Sequence, residues 1–320
     1  MKKLLFSILL LLLISFVLVS CNNVSDISDE STDVTENPSE ESSEAPKQTE
    51  TPASDFEYEI NSEGQIAITK YIGKNSNVII PDEIDNKLVT QISKQAFRKT
   101  AVVSVQMPNN ITTIQIAAFE GCNLLETITL SKSLLQIEMY AFENCSLLKN
   151  ITIPSSVRVI GYGAFMNSGL ESIELPQGIE AIPQFAFEST NLTQITVPSS
   201  VKIIDSFSFS GCKNLKSITL NKGLVSIGYN AFANNPSLEE IILPESVLEI
   251  TDMAFCSCPN LKKIMFEGDA PNTFKETDTS IPAGTLGINV PIDAAFTIYY
   301  HKDAQGFSSP EWFGYKTKEW

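Results

Sequence analysis

An Ala-Phe or Ser-Phe pair returns along this chain at a nearly fixed interval, and that interval constrains the fold more than any other feature. The phenylalanines are Phe97, Phe119, Phe142, Phe165, Phe187, Phe209, Phe232 and Phe255, separated by 22, 23, 23, 22, 22, 23 and 23 residues. A repeat of this length is one supersecondary unit that cannot bury its apolar face alone. Stacked copies must bury it together, as a solenoid. The unit is plain between Leu148 and Phe165, where Leu148, Ile151, Ile153, Pro154, Val157, Ile160, Ala164 and Phe165 form the recurring set.

Each unit holds two short extended pieces. The first is Leu-x-x-Ile-x-Leu, as in Leu125-Ile128-Leu130, Leu170-Ile173-Leu175 and Leu238-Ile241-Leu243. Alternation in Ile-x-Leu turns both apolar side chains to one face. Proline often follows (Pro108, Pro154, Pro176, Pro198, Pro244); without an N–H it cannot extend a ladder, so it turns the chain at a corner. The second piece is Val-x-x-Ile, as in Val157-Ile160, Val201-Ile204 and Val247-Ile250. A tight turn with Ala-Phe closes the coil, the Phe filling the core and the Ala fitting where a larger side chain would strike the next coil.

The 22-versus-23 alternation locates a deletion. The step from Phe to the next Leu is six residues after Phe119, Phe142, Phe209, Phe232 and Phe255, and five after Phe97, Phe165 and Phe187. The missing residue therefore lies in the turn, and the strands keep register. Three places before that Leu stand Cys122, Cys145, Cys212, Asn235 and Cys258. These are expected to point inward, Cys packing as a small hydrophobe and Asn bonding to backbone groups of the turn. Counted the same way, the short coils place Lys99, Asn167 and Ser189 there.

Residues 212–232, CKNLKSITLNKGLVSIGYNAF, match Cys/Asn-x-x-Leu-x-x-Ile-x-Leu-Pro-x-x-Leu-x-x-Ile-Gly-x-x-Ala-Phe, with Asn221 in place of the proline. This pattern resembles the BspA-like, or Treponema pallidum type, leucine-rich repeat. The resemblance covers roughly residues 78–300 and implies a right-handed solenoid with a parallel sheet along one face. Its members are mostly bacterial surface proteins, several linked to adhesion and matrix-protein binding. The expected fold is thus mainly β: a leucine-rich-repeat solenoid of about eight 22–23-residue coils, with an N-terminal hairpin cap and a C-terminal aromatic cap.

The flanks divide the chain further. Lys2-Lys3, the apolar run Leu4–Val19 and a small residue before Cys21 describe a secretory signal over residues 1–21. Leu18-Val19-Ser20-Cys21 resembles a bacterial lipobox, which implies a diacylglyceryl group on the Cys21 thiol and cleavage just before it. The other readings are an ordinary signal peptide, or an uncleaved helix, with an incidental cysteine. Residues 22–54 are Ser-, Thr-, Pro- and acid-rich and cannot bury enough apolar surface to offset ordering entropy. They are expected to be a disordered tether kept extended by like charge. The folded part would then run over 55–320: an amino-terminal cap at 55–77, coils at 78–267 and a carboxy-terminal cap at 268–320. The first cap reads as a hairpin of Phe56–Ile60 and Gln65–Thr69; Asp85–Leu88 is a small insertion; Asp269–Ala295 is an excursion before strand Thr297–Tyr300. The aromatics after it are expected to cover the last coil.

Composition excludes several functions. Formal net charge is −16, of which residues 22–55 carry −9. Such a surface repels phosphates, which argues against nucleic acid. A single histidine, His301, leaves little for His-based catalysis or a multi-His metal site. No phosphate loop or zinc spacing occurs, and Cys256-Ser257-Cys258 is not a Cys-x-x-Cys redox motif. The chain is therefore expected to be no enzyme and to need no cofactor. Cys122 and Cys145 fall at the same place in adjacent coils, within bridging reach by rung spacing. Stacked side chains point alongside one another, however, so free thiols are expected.

Two surfaces are candidates for a partner. One is the outward side of the first strand, with Thr129, Thr152, Glu174, Thr196 and Thr219 and an apolar end at Ile242 and Met265; threonine there also answers to strand propensity alone. The other is the aromatic set Tyr140, Tyr162, Phe185, Phe207 and Tyr229, two or three places before the marker Phe. Phe185 and Phe207 hold equivalent places and should touch. Exposed, this set is an interaction patch; tucked under the turn, it is core. The functional expectation is a lipid-anchored, extracytoplasmic surface protein that binds a macromolecule, a host or bacterial surface protein in an adhesive role. The alternative is a carbohydrate- or cell-wall-binding module of an envelope complex, for which the aromatics would matter most.

Overall fold

A computed structural model describes residues 49–251, 253–271, 296–312 and 314–320. The signal segment with Cys21, the tether up to residue 48 and the excursion over 272–295 lie outside the described residues. The described part from Thr49 onward is a β-solenoid of about ten turns. Three strands, Lys263–Phe266, Thr297–Tyr300 and Tyr315–Glu319, extend the parallel stack beyond the last marked phenylalanine.

Parallel strands stack on two sides of each coil, not on one face alone. The long strands carry the Ile-x-Leu pieces, among them Asn150–Thr152, Gln194–Val197, Ser217–Leu220 and Glu240–Leu243. They pair in register, Ile195 with Ile218 and Ile241 with Ile264. Two-residue strands such as Val159–Ile160, Ile203–Ile204 and Ser226–Ile227 carry the second piece. In both stacks every second residue turns inward and is buried, apart from the partly buried Ile128, as the period-2 pleat requires. The long-strand ladder is interrupted after Thr127–Thr129, Ser172–Glu174 and Ser217–Leu220, where adjacent rungs pack without forming one hydrogen-bonded sheet.

The third side of each coil is the Phe turn. All eight marker phenylalanines are fully buried, and Tyr71 extends their column at the amino-terminal end. Successive Phe rings lie parallel, with centroids 4.8 to 5.6 Å apart. Residues two before and two after each Phe adopt left-handed backbone conformations: in one coil Tyr140 (φ 58°) and Asn144 (φ 60°). For residues other than glycine this costs roughly 1 kcal/mol each. Inter-coil hydrogen bonds hold it: Tyr140, Phe142 and Asn144 donate their N–H groups to the carbonyls of Tyr162, Ala164 and Met166 at 2.8 to 2.9 Å.

The turn also places the cysteines, and here the count from Leu needs correction. Aligned on the marker Phe, the partners of Cys122, Cys145, Cys212, Asn235 and Cys258 in the short coils are Thr100, Ser168 and Thr190. Lys99, Asn167 and Ser189 instead hold the left-handed place two residues after Phe. The deletion falls after the inward position, not before it, so counting backward from Leu lands one residue early. All of these inward groups but Ser168, whose buried hydroxyl has no hydrogen-bond partner among the described residues, serve the Phe carbonyls. Cys122, Cys145, Cys212 and Cys258 direct their thiols to the Phe carbonyl one coil back, at 3.0 to 3.2 Å. Thr100 and Thr190 donate to the Phe of their own coil, and Asn235 donates to both carbonyls.

Cys122, Cys145, Cys212 and Cys258 are free, buried thiols, in keeping with the expectation of unbridged cysteines for these four. Burial pushes the Cys212 thiol up to about 11 and that of Cys258 to about 12, and raises Cys122 and Cys145 as well. An acid whose proton is held more tightly in the folded state stabilises the fold at low pH and loses that contribution as pH rises. Stability is therefore expected to fall above pH ~9, where unfolded thiols ionise, by about 1.4 kcal/mol per pH unit for each such thiol until the folded pKa is reached. Thermal melts between pH 8 and pH 10.5 check this; an equal Tm at both would refute it. Cys212→Ser should flatten the slope.

Both ends are covered. Phe56–Ile60 and Ile66–Tyr71 form an antiparallel hairpin, whose turn is fixed by Asn61 Oδ1 accepting from the N–H groups of Glu63 and Gln65. The insertion becomes a second tight hairpin, Glu83–Ile84 against Lys87–Ile92, with Asp85 and Asn86 both left-handed in the two-residue turn. The tether, expected to reach residue 54, gives way earlier. Thr51 is buried, its N–H bonds to the Ile79 carbonyl, and its hydroxyl accepts from the Ile79 N–H. At the far end Phe307 packs against Phe266, Tyr300 and Trp312, with centroids 4.7 to 5.1 Å apart. The ring of Phe296 meets Tyr315 at 5.3 Å. His301 is exposed, its ring 4.7 Å from that of Trp320.

Candidate functional site

The outward residues of the long strands form two columns. One runs Asn150, Ser172, Gln194, Ser217, Glu240, Lys263; the other runs Thr152, Glu174, Thr196, Thr219, Ile242, Met265. Of the sequence candidates, Thr129 pairs with Gln106 toward the amino-terminal end, and Thr152, Thr196 and Thr219 lie in the middle of the face, all exposed. A shallow recess of about 670 Å³ spreads over the four rungs from Asn150 to Thr219. Its rim is hydroxyl and amide with Glu174 as its carboxylate, and Ile151, Ile173, Leu175, Ile195 and Pro198 also line it. Neighbouring side chains bond along the column, as where Ser172 Oγ donates to Asn150 Oδ1 at 2.7 Å. Beyond Thr219 the second column turns apolar, with Ile242 42 % exposed and in register with Met265, which pairs with Tyr299.

The aromatic set occupies the turn side and is neither free nor core. Tyr140, Tyr162, Phe185 and Phe207 are half-buried, Tyr229 is 39 % exposed, and none belongs to the hydrophobic core. The five rings form one unbroken column, with centroids 5.2, 5.1, 4.9 and 5.5 Å apart in chain order. Phe185 and Phe207 touch as expected and stack at 15°, while the other contacts are edge-on. Two backbone places feed this column. Tyr140, Phe185 and Phe207 stand at the left-handed place two before the marker Phe. Where Gly163 or Asn230 takes that place, the ring comes from the residue before it, Tyr162 or Tyr229. A side chain on Gly163 would collide with the Tyr140 ring, its Cβ falling 2.9 Å from Cδ1. The sequence shows the shift between two and three places before the marker Phe, but its cause, the left-handed place, needs the backbone angles.

Carboxylates border the rings. Glu143 and Glu188 follow their marker phenylalanines, and both carboxyls are raised, chiefly by burial. The Tyr162 hydroxyl is raised as well, by burial first, then by the Tyr140 hydroxyl and the charges of Glu188 and Glu143. Among the described residues, neither Glu143 nor Glu188 makes an ion pair. The bidentate pair of Arg98 with Glu120, at 2.8 Å, ends this row on the amino-terminal side. Among the described residues no group of His, Cys, Asp or Glu side chains could hold a metal ion, and no helix is long and apolar enough to cross a membrane.

The chain was compared with known families and structures. The model of the BspA type leucine-rich repeat region matches residues 70–189 and 180–281, in six copies. The crystal structure of the T. pallidum leucine-rich repeat protein is similar at 29 % identity, with a TM-score of 0.55, covering 67 % of this chain and 91 % of that one. A leucine-rich repeat protein from Bacteroides ovatus is similar at 22 % identity and a TM-score of 0.56, covering 77 % of this chain and 70 % of that one. A comparison with curated proteins found no match.

Proposed function

The chain belongs to the BspA-type leucine-rich repeat family, and on that premise we propose that it is a lipid-anchored, extracytoplasmic surface protein that binds another surface protein through its long-strand face, in an adhesive role and without catalysis. Cys21 carries the anchor, and the acidic Ser/Thr/Pro tether holds the solenoid off the membrane. The observation that carries the reading is the long-strand face, where a hydroxyl- and amide-rimmed recess ends at Thr219 and, across a break in the hydrogen-bonded ladder, the next rungs present the apolar pair Ile242 and Met265 in register with each other. Protein interfaces combine an apolar centre with a polar, hydrogen-bonding surround in this way. Family membership makes a surface interaction role the natural setting for it.

Full-length protein on cells tests both halves of the reading. The double substitution Thr196→Lys with Thr219→Lys adds bulk and charge to the recess on exposed strand positions, where the fold should lose no more than about 1 kcal/mol. Capture of a surface partner is expected to drop about tenfold or more, as when a like charge or clash enters an interface centre. Cys21→Ser is expected to release the chain from the membrane fraction, since one thiol carries the anchor. Undiminished capture by the lysine variant would eliminate this face, and membrane retention of the serine variant would eliminate the lipid.

A wall-polymer or glycan role is less well supported. Sugar-stacking platforms offer flat ring faces, whereas Phe185 and Phe207 spend theirs on each other.

A further inference from the structure

The aromatic column is on the turn side, away from the strand face, and needs its own explanation. Its rings add nothing to the buried core, yet Tyr140, Phe185 and Phe207 hold a backbone conformation that Gly163 and Asn230 adopt with less strain in the same column of the same fold. Where glycine or asparagine does stand there, the neighbouring residue still supplies a ring. The column is thus continuous across five coils even though no single backbone place provides it. A half-exposed apolar strip of this kind on a monomer marks a contact surface.

Charge says what the contact is with. From residue 115 to residue 234 the turns around the marker phenylalanines carry Glu120, Glu138, Glu143, Glu188 and Asp205 against one lysine, Lys213, and Arg98 at the amino-terminal edge is paired with Glu120. Glu143 and Glu188 are partly desolvated beside Tyr162 and form no ion pair among the described residues. A lysine or arginine side chain matches such a surface in both halves. Its methylene stem lies along ring edges, and its cation reaches the carboxylates. The chain's net charge of −16 would draw a basic partner in from a distance and repel an acidic one, a second copy included.

We propose that this aromatic column, with Glu143 and Glu188 beside it, is a second docking surface, and that its occupant is an extended lysine- or arginine-rich polypeptide segment. This site is separate from the strand-face recess, so either can fail without the other.

The test uses the full chain, an oligo-arginine peptide as probe and an oligo-glutamate peptide as control, at physiological salt. Phe185→Asn with Phe207→Asn removes two rings while leaving every charge. Asn230 already occupies the equivalent place, so the fold is expected to survive with an unchanged or higher Tm. Oligo-arginine binding is expected to fall about tenfold or more in this variant, a loss typical of removing apolar anchors at an interface centre. Glu143→Gln with Glu188→Gln should weaken binding by a similar factor. Glu171→Gln with Glu239→Gln, which removes equal charge elsewhere, should change it less than about twofold. Equal loss from the two charge variants with no loss from the asparagine variant would reduce the effect to bulk electrostatics and overturn the proposal. So would absence of oligo-arginine binding by the wild-type chain, or a neutral glycan competing it away. A lower Tm in the asparagine variant would make the rings a packing feature and overturn it as well.

Discussion

Replacing Phe187 by alanine is expected to lower the stability of the solenoid by about 4 kcal/mol, at the upper end of what large-to-small core changes cost. The reason lies in its position in the column. Phe187 is fully buried, and its ring faces Phe165 at 5.5 Å on one side and Phe209 at 5.4 Å on the other, at interplanar angles of 3° and 7°. Truncation removes the ring's own burial, roughly 2 to 3 kcal/mol, and two ring contacts of about 0.5 to 1 kcal/mol each. The coils cannot collapse into the space, because the turn backbone is fixed by hydrogen bonds from Phe185, Phe187 and Ser189 to the next coil. Phe255→Ala supplies the internal comparison. That ring is equally buried but stacks on Phe232 at 5.5 Å and, among the described residues, on no ring beyond it. Its loss is expected to be about 1 kcal/mol smaller. Urea unfolding checks both values, and the central substitution should also broaden the transition, since in a repeat array each coil is coupled mainly to its neighbours. A midpoint for Phe187→Ala within experimental error of wild type would mean that the column is not what couples the coils.

The column was legible because its residue identity never varies. Phenylalanine recurs at a fixed step and alanine or serine precedes it, so a period count suffices. The features that escaped the sequence are those where identity varies and geometry does not. The left-handed place two before Phe is filled by Gln95, Ala117, Tyr140, Gly163, Phe185, Phe207, Asn230 and Met253. Glycine or asparagine would have announced it, but neighbouring coils impose the conformation on whatever stands there, and tertiary hydrogen bonding overrides local preference. The same holds one turn further on. Thr100 and Thr190 do for two short coils what cysteine and asparagine do for the long ones, while Ser168 fills the same place without a hydrogen bond. A count anchored on leucine passes over them because the deleted residue sits between. The docking of Thr51 on Ile79 was hidden for a different cause, since a single threonine at the end of a polar tract carries no periodic mark. Of the candidate surfaces, the sequence placed the threonine column correctly on the outer strand face. The rings' half-buried state and the carboxylates bordering them depend on how the turns stack, and no linear pattern contains that.

Asn235 brings the two kinds of position together, and substituting it should separate packing from hydrogen bonding at one site. Its side chain is fully buried in the column that the other long coils fill with cysteine, and Nδ2 donates to the Phe209 carbonyl at 3.0 Å and to the Phe232 carbonyl at 2.9 Å. Alanine would leave the Phe209 carbonyl without its side-chain donor in a dry interior, at about 1 to 3 kcal/mol, while the Phe232 carbonyl keeps the Cys258 thiol; with the lost packing, Asn235→Ala is expected to cost roughly 2 to 4 kcal/mol. Cysteine should recover much of it. Cys212 and Cys258, one coil to either side, show that a thiol fits here and reaches the Phe carbonyl of the preceding coil at 3.1 Å. The Phe232 carbonyl still accepts from the Cys258 thiol, so Asn235→Cys is expected to lie within about 1 kcal/mol of wild type. Valine, which fills the space without donating, should behave like alanine if the hydrogen bonds decide and like cysteine if volume decides. Chemical denaturation of the three variants reads the difference directly. Valine matching cysteine would show that the inward place of each turn requires only a small body, and that the Phe carbonyls are satisfied by other means.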